Sequence, residues 1–157
     1  MLKLSARIFE QIRRHGEESY PHECCGVLLG TFDVDQDVRE VLRIVPAGNT
    51  WVDSPHNRYN IDPRELIAAQ RQARESGEDI VGFYHSHPDH PAQWSQTDLA
   101  EAHWYGCSYV ITSVKKGEAD VTNSFVLAGS SEESKKFEDE SIEVVAAQNE
   151  AKVVSKA

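Results

Sequence analysis

Three histidines and two aspartates fall between positions 84 and 98, directly behind a short apolar run at positions 80–84. Such a run predicts a buried strand. Side chains two residues apart point to the same face of a strand, so His85 and His87 should lie side by side, with Ser86 on the opposite face. Two imidazoles held together at the end of a buried strand predict half of a metal site.

Asp98 follows His87 at a distance that lets a loop and the first turn of a helix return its carboxylate to the histidines. Two His, one Asp and one open position are typical of catalytic zinc, which lowers the pKa of a bound water to about 7. Ser95 and Asp98 also match a helix capping box, and taken alone the capping box is the better interpretation of that segment. The combined spacing favours the metal site.

The full pattern, His85-x-His87, seven residues, then Ser95-x-x-Asp98, resembles the signature of the JAMM (MPN-domain) metalloproteases. That family carries an upstream glutamate near the start of an early strand, and the segment from Glu23 to Gly30 looks like that element. The order of predicted elements over about residues 3–128 is similar to the family core.

The resemblance implies a role for each matching residue. His85, His87 and Asp98 would be the ligands of one Zn²⁺, with water in the fourth position. Glu23 would be the general acid/base, which takes a proton from the water and gives it to the leaving amine. Ser95 would hydrogen-bond the developing oxyanion.

The compact chain looks like the short prokaryotic branch of the family. That resemblance implies a zinc metallopeptidase that hydrolyses a peptide or isopeptide bond after the glycine-rich tail of a ubiquitin-like or sulfur-carrier protein. An extended tail could add to a sheet edge near the metal. Two alternatives stay open: a silent scaffold or binding module, which the presence of all five polar residues disfavours, and an amidohydrolase of a small substrate.

Other residues of these types have simpler interpretations. We expect His90 to be a loop residue, His103 to lie on a different helical face from Asp98, and Trp94 either to wall the cleft or to cover the core. The three cysteines, Cys24, Cys25 and Cys107, include no CxxC pair, which predicts reduced thiols. We expect Cys25 and Cys107 to pack as small apolar residues. Cys24, beside Glu23, is the candidate if a cysteine nucleophile is considered.

The composition excludes several classes of protein. The 157 residues carry a formal net charge of -10, which argues against nucleic-acid binding. No run is long enough for a membrane span and no export signal is visible, so we expect a cytoplasmic protein. A homodimer stays open. We expect the late acidic residues to form a solvated surface; these are Glu132, Glu133, Glu138, Asp139, Glu140 and Glu143.

Periodicity predicts the elements that position the site. We expect helices over about 5–18, 62–77 and 95–106, and strands at 25–32, 38–45, 58–61, 79–84, 108–114 and 120–127. Residues 46–57 read as a loop, with Trp51 folded back onto it, and 137–145 as a strand or short helix. This order predicts an α/β (α+β) fold with a mixed β-sheet sandwiched by helices. The resemblance makes it a cytidine-deaminase-like JAMM/MPN core, with one domain over 1–145 and a frayed tail at 146–157.

Overall fold

A computed structural model describes residues 1–49 and 60–146. In these residues, three helices are interspersed among eight strands. They are β1 Leu2–Ser5, α1 Ala6–Ser19, β2 Cys25–Asp33, β3 Val38–Ala47, α2 Pro63–Glu75, β4 Asp79–Pro88, α3 Gln96–Glu101, β5 Ser108–Lys115, β6 Glu118–Ala128, β7 Lys136–Glu140 and β8 Ile142–Val145.

The strands form one mixed sheet in the order β7-β6-β5-β4-β2-β3-β1-β8. Strand β4 lies in the middle, antiparallel to β2 and parallel to β5. Strand β1 is parallel to both β3 and β8, and the remaining pairs are antiparallel. The sheet thus places the histidine-bearing strand between two neighbours, as the buried apolar run of β4 requires.

Helices α1 and α2 pack on opposite faces of this sheet. Ile12 of α1 belongs to a buried cluster with Leu28 and Tyr84, whereas Ala69 of α2 belongs to a second cluster with Val27. Neighbouring strand residues such as Val27 and Leu28 alternate between these clusters because successive side chains point to opposite faces. The predicted mixed sheet with helices on both faces is confirmed.

The first two helices begin at the capping residues that the sequence indicates. The Ser5 hydroxyl accepts a hydrogen bond from the Ile8 N–H at 3.2 Å and caps α1. Asp62 caps α2 by accepting from the Arg64 N–H at 2.8 Å, and Pro63 takes the first helical position. The bounds of both helices therefore agree with prediction to within two residues.

Three predicted elements need correction. Strand β1 was not predicted, because Leu4 shares the helical spacing of Ile8 and Ile12 and gives no separate strand signal. Helix α3 ends at Glu101 rather than at Gly106, because Ala102 has an extended backbone (ψ 126°) that stops it. The ambiguous segment at 137–145 forms two strands, β7 and β8, separated by Ser141.

Glu140 contradicts the expectation that the late acidic residues are all solvated. Its side chain is 2% exposed and pairs with Arg39 at 3.1 Å. Its other oxygen accepts hydrogen bonds from the Ser108 and Ser124 hydroxyls, each at 2.7 Å. Glu140 ends β7 and Arg39 lies in β3, so this polar cluster joins strands that are distant in the sheet. The next residue, Ser141, accepts a hydrogen bond from the Leu2 N–H through its carbonyl.

Some predictions lie outside the described residues. These are the placement of Trp51, positions 58–59 of the strand at 58–61, the loop at 50–57 and the tail beyond Ala146. Positions 46–47 of the predicted loop belong to β3. Across 1–49 and 60–146, no helix is both long and apolar enough to cross a membrane. The division into one domain over 1–145 stays a prediction.

Candidate metal centre

Pairing between β2 and β4 brings Glu23 to the histidines. Cys25 is the antiparallel partner of His85, so the residues just before β2 lie beside the end of β4. The Ser86 hydroxyl accepts a hydrogen bond from the Cys24 N–H at 2.8 Å, and the Cys24 carbonyl accepts one from the Ser86 N–H at 3.3 Å. These two bonds fix the backbone next to Glu23.

Three side chains with possible ligand atoms converge at this place. His85 Nε2 lies 3.2 Å from His87 Nε2, and both nitrogens lie near the Asp98 carboxylate, at 3.3 Å from Oδ1 and 3.1 Å from Oδ2 respectively. Ligand atoms around a tetrahedral zinc, at about 2.0–2.1 Å from the ion, are roughly 3.3 Å apart. The spacing of the donor set therefore fits one zinc-sized ion.

Glu23, which lies just before β2, completes the cluster. Glu23, His85 and His87 each offer a ligand atom within 4.8 Å of the others, and all three are buried. Within the described part of the chain, Glu23 Oε1 is buried without a hydrogen-bond partner. A buried polar atom that nothing satisfies is costly, so its presence here indicates a site built for a ligand.

Burial controls the protonation of the site. It raises the pKa of Glu23 to about 9, and the charges of Asp98 and Glu101 act in the same direction. Burial lowers the pKa of His85, against the opposing influence of Asp98. A neutral imidazole with a free lone pair is the form that binds metals, so the environment keeps His85 ready to act as a ligand.

Asp98 serves the helix and the cluster at once. Its N–H donates to the Ser95 hydroxyl at 3.0 Å, and its Oδ2 accepts from the Ser95 N–H at 2.9 Å, which is a complete capping box. The same Oδ2 faces His87 Nε2. The capping and metal-site interpretations are therefore compatible, because the cap holds the carboxylate against the histidines. The oxyanion role of Ser95 stays a prediction.

A cleft of about 410 Å³ opens onto the cluster. Its walls include Glu23, His87, His90, Gln93 and Ser95. A second cleft of about 200 Å³ is lined by Ile61, Leu66, Phe83 and Glu101 among others. Helix α3 contributes residues from its start to the first cleft and its last residue to the second.

The other singled-out residues lie apart from the cluster or have packing roles. His90 is an exposed loop residue at the rim. His103 pairs with Glu132 at 3.1 Å on the surface. Trp94 packs against Phe137, with ring centroids 5.6 Å apart, so it covers the core.

Burial and thiol pKa both argue against a nucleophilic cysteine. All three are free and buried. Burial raises the pKa of Cys24 to about 12, and that of Cys25 likewise, whereas a nucleophilic thiol needs a lowered pKa. Cys24 acts through its backbone instead. The hydrogen bond from the Cys24 N–H to the Ser86 hydroxyl was not predicted from the sequence. The position of Ser86 between the two histidines could have indicated a role beside the site.

This fold and donor set define a class of protein. The model for prokaryotic homologues of the JAB domain matches residues 5–128, and the chain belongs to that family, which confirms the predicted JAMM (MPN-domain) membership. The Haloferax volcanii protein named desampylase is 37% identical over 116 residues, which is 71% of this chain and 80% of that protein. The Thermus thermophilus protein named "Probable TtuB-protein conjugate cleaving protease" is 34% identical over 62% of this chain and 60% of that protein. A solution structure of a Desulfitobacterium hafniense protein has a TM-score of 0.76 at 31% identity, covering 93% of this chain and 94% of that one.

Proposed function

We propose that the chain is a zinc-dependent metallopeptidase that hydrolyses a peptide or isopeptide bond after the glycine-rich tail of a ubiquitin-like protein. The observation that carries the proposal is the convergence of His85, His87 and Asp98 beside the buried, unpartnered Glu23 oxygen. The names of the two relatives, desampylase and probable TtuB-protein conjugate cleaving protease, support a substrate class of proteins conjugated to a ubiquitin-like protein.

In this proposal, the two histidines and Asp98 hold the zinc. When bound, zinc would supply a Lewis acid for the scissile carbonyl and an acidified water. The donor set of two imidazoles and one carboxylate suits zinc and leaves a position open for substrate.

Glu23 moves the proton. Its carboxylate takes a proton from the attacking water as the water oxygen bonds the carbonyl carbon, and gives that proton to the leaving nitrogen as the carbon–nitrogen bond breaks. A cation in the cleft favours the ionised carboxylate that the first step needs, whereas the metal-free environment favours the protonated form.

Ser95 stands at the wall of the same cleft, at the N-terminus of α3. Its hydroxyl would donate to the oxygen that gains charge during attack. The Asp98 N–H already uses this hydroxyl as an acceptor, which leaves the hydroxyl hydrogen available for the oxyanion.

The test uses the zinc-loaded full chain and ubiquitin-like proteins that end in Gly-Gly, each carrying a peptide extension or an isopeptide-linked lysine peptide. We expect one cleavage, directly after the last glycine, detected by mass spectrometry. Glu23→Gln should bind zinc and cleave nothing, and Glu133→Gln, which changes an exposed carboxylate, should cleave like the wild type. Turnover of a small amide with no cleavage of any such protein would overturn the substrate class.

A further inference from the structure

The loop after His87 presents three consecutive carbonyl oxygens to three side chains. The His90 carbonyl accepts from the Ser113 hydroxyl at 2.6 Å, and the Ala92 carbonyl accepts from Asn123 Nδ2 at 2.9 Å. Between them, the Pro91 carbonyl lies 2.9 Å from His87 Nδ1. Two residues of the sheet thus hold the peptide units on both sides of the one that contacts His87.

The Pro91 contact decides which nitrogen of His87 carries the proton. A carbonyl oxygen can only accept, so Nδ1 must donate, and in the neutral ring Nε2 then has the lone pair. Nε2 is the atom that faces His85 Nε2 and the Asp98 carboxylate. A second hydrogen bond of this kind is how proteins orient a metal-ligating imidazole.

The two outer contacts come from the sheet itself. Ser113 of β5 is 1% exposed and is the register partner of His87. Asn123 of β6 is the partner of Ile111, two residues before Ser113. Their side chains therefore lie on the strand face that the loop covers, where Ala92 is also buried.

We infer that Ser113 and Asn123 are positioning residues for the metal centre, which clamp the loop so that the Pro91 carbonyl holds the His87 imidazole with Nε2 towards the ion. The inference rests on the ligand set of the proposed function but not on its substrate. The side chains of Ser113 and Asn123 donate to backbone carbonyls of the loop, so both act through the backbone of residues 90–92.

The chain offers a matched control on the same two strands. Thr112 and Thr122 share a hydrogen bond of 3.0 Å between their hydroxyls, and Arg13 of α1 donates to Thr122 at 2.9 Å. This pair therefore points to the α1 side of the sheet, away from the loop. Thr112→Val removes a buried hydroxyl next to Ser113 without touching the clamp.

The experiment measures zinc affinity, by competition with a chromophoric chelator, for wild type, Ser113→Ala, Asn123→Asp and Thr112→Val. Asn123→Asp keeps the shape of the side chain but removes its N–H donor. If the Asn123→Asp variant does not fold, Asn123→Leu is used in its place. We expect both clamp variants to lose affinity, by up to about 10- to 100-fold, which is the effect of losing the Pro91 contact itself as the outer partner of His87. Thr112→Val should stay within about twofold.

A second measurement distinguishes an effect on the orientation of the His87 ring from a loss of folding stability. In the zinc-loaded proteins, ¹⁵N-edited NMR of the imidazoles reports the His87 Nδ1–H that donates to the Pro91 carbonyl, and its signal should be sharp in the wild type and weakened in the clamp variants. Unchanged zinc affinity and an unchanged Nδ1–H signal in the clamp variants would overturn the inference. Tight zinc binding with the expected losses, but no cleavage of any ubiquitin-like substrate, would overturn the proposed function and leave the clamp standing.

Discussion

Replacing Glu23 by glutamine should stabilise the metal-free protein, and the gain should grow with pH. The side chain is buried, and burial raises its pKa from the ordinary 4.5 to about 9. Below about pH 4.5 the carboxyl is protonated in both the folded and the unfolded chain, so it has no effect on stability. Between these pKa values only the unfolded chain releases the proton, and each pH unit favours unfolding by about 1.4 kcal/mol.

The size of the effect follows from the pKa shift. At pH 7 the carboxyl costs the folded state about 3 kcal/mol, and above pH 9 the cost levels off near about 6 kcal/mol. Glutamine has a similar shape and no ionisation, so Glu23→Gln removes this cost. For a chain of this size, the gain at pH 7 corresponds to a rise in Tm of about 6–12 °C.

The assay is denaturant unfolding of chelator-treated wild type and Glu23→Gln from pH 4 to pH 9.5. The two free energies of unfolding should agree at the acid end and separate steadily above about pH 5. Glu133→Gln, at an exposed position, should follow the wild type throughout. Two parallel curves for wild type and Glu23→Gln would refute the reasoning, because they would mean that the Glu23 carboxyl ionises in the folded state as readily as in the unfolded state.

Three further predictions concern other groups. His87→Ala should bind no stoichiometric zinc and cleave nothing; metal analysis that finds one zinc per chain would remove His87 from the ligand set. Glu140→Ala should lower the free energy of unfolding by about 3 kcal/mol, measured in denaturant, because it removes the buried carboxylate that pairs with the buried Arg39 guanidinium. Zinc affinity should not change. Alkylation of the native, metal-free protein with iodoacetamide at pH 8 should leave Cys24 unmodified, and rapid labelling before unfolding would contradict its burial.

The parts of the site that depend on local spacing could be predicted from the sequence. The i, i+2 rule places His85 and His87 on one face of β4, and the structure has both imidazoles there. The capping residues Ser95 and Asp98 also act within one turn of helix, so the sequence was sufficient to find them.

The parts that depend on pairing between distant strands could not be read in this way. Glu23 was found through the family resemblance, since only the β2–β4 register brings it to the histidines. Ser113 and Asn123 have no signal of their own, because a hydroxyl and an amide in predicted strands look like ordinary strand residues. Glu140 was misjudged for a related reason: its partners Arg39 and Ser108 lie far away in the sequence.

The pairing of β1 with β8 joins residues that are far apart in the sequence, and this affects the order in which the strands form. Leu2 finds its register partner at Ile142, close to the far end of the described chain, and the other side of β1 pairs with β3. During synthesis the first strand therefore emerges long before one of its two partners exists. Closing so long a loop is entropically slow, so β1 should stay half-paired while the central strands form around the metal centre, and its edge should close last.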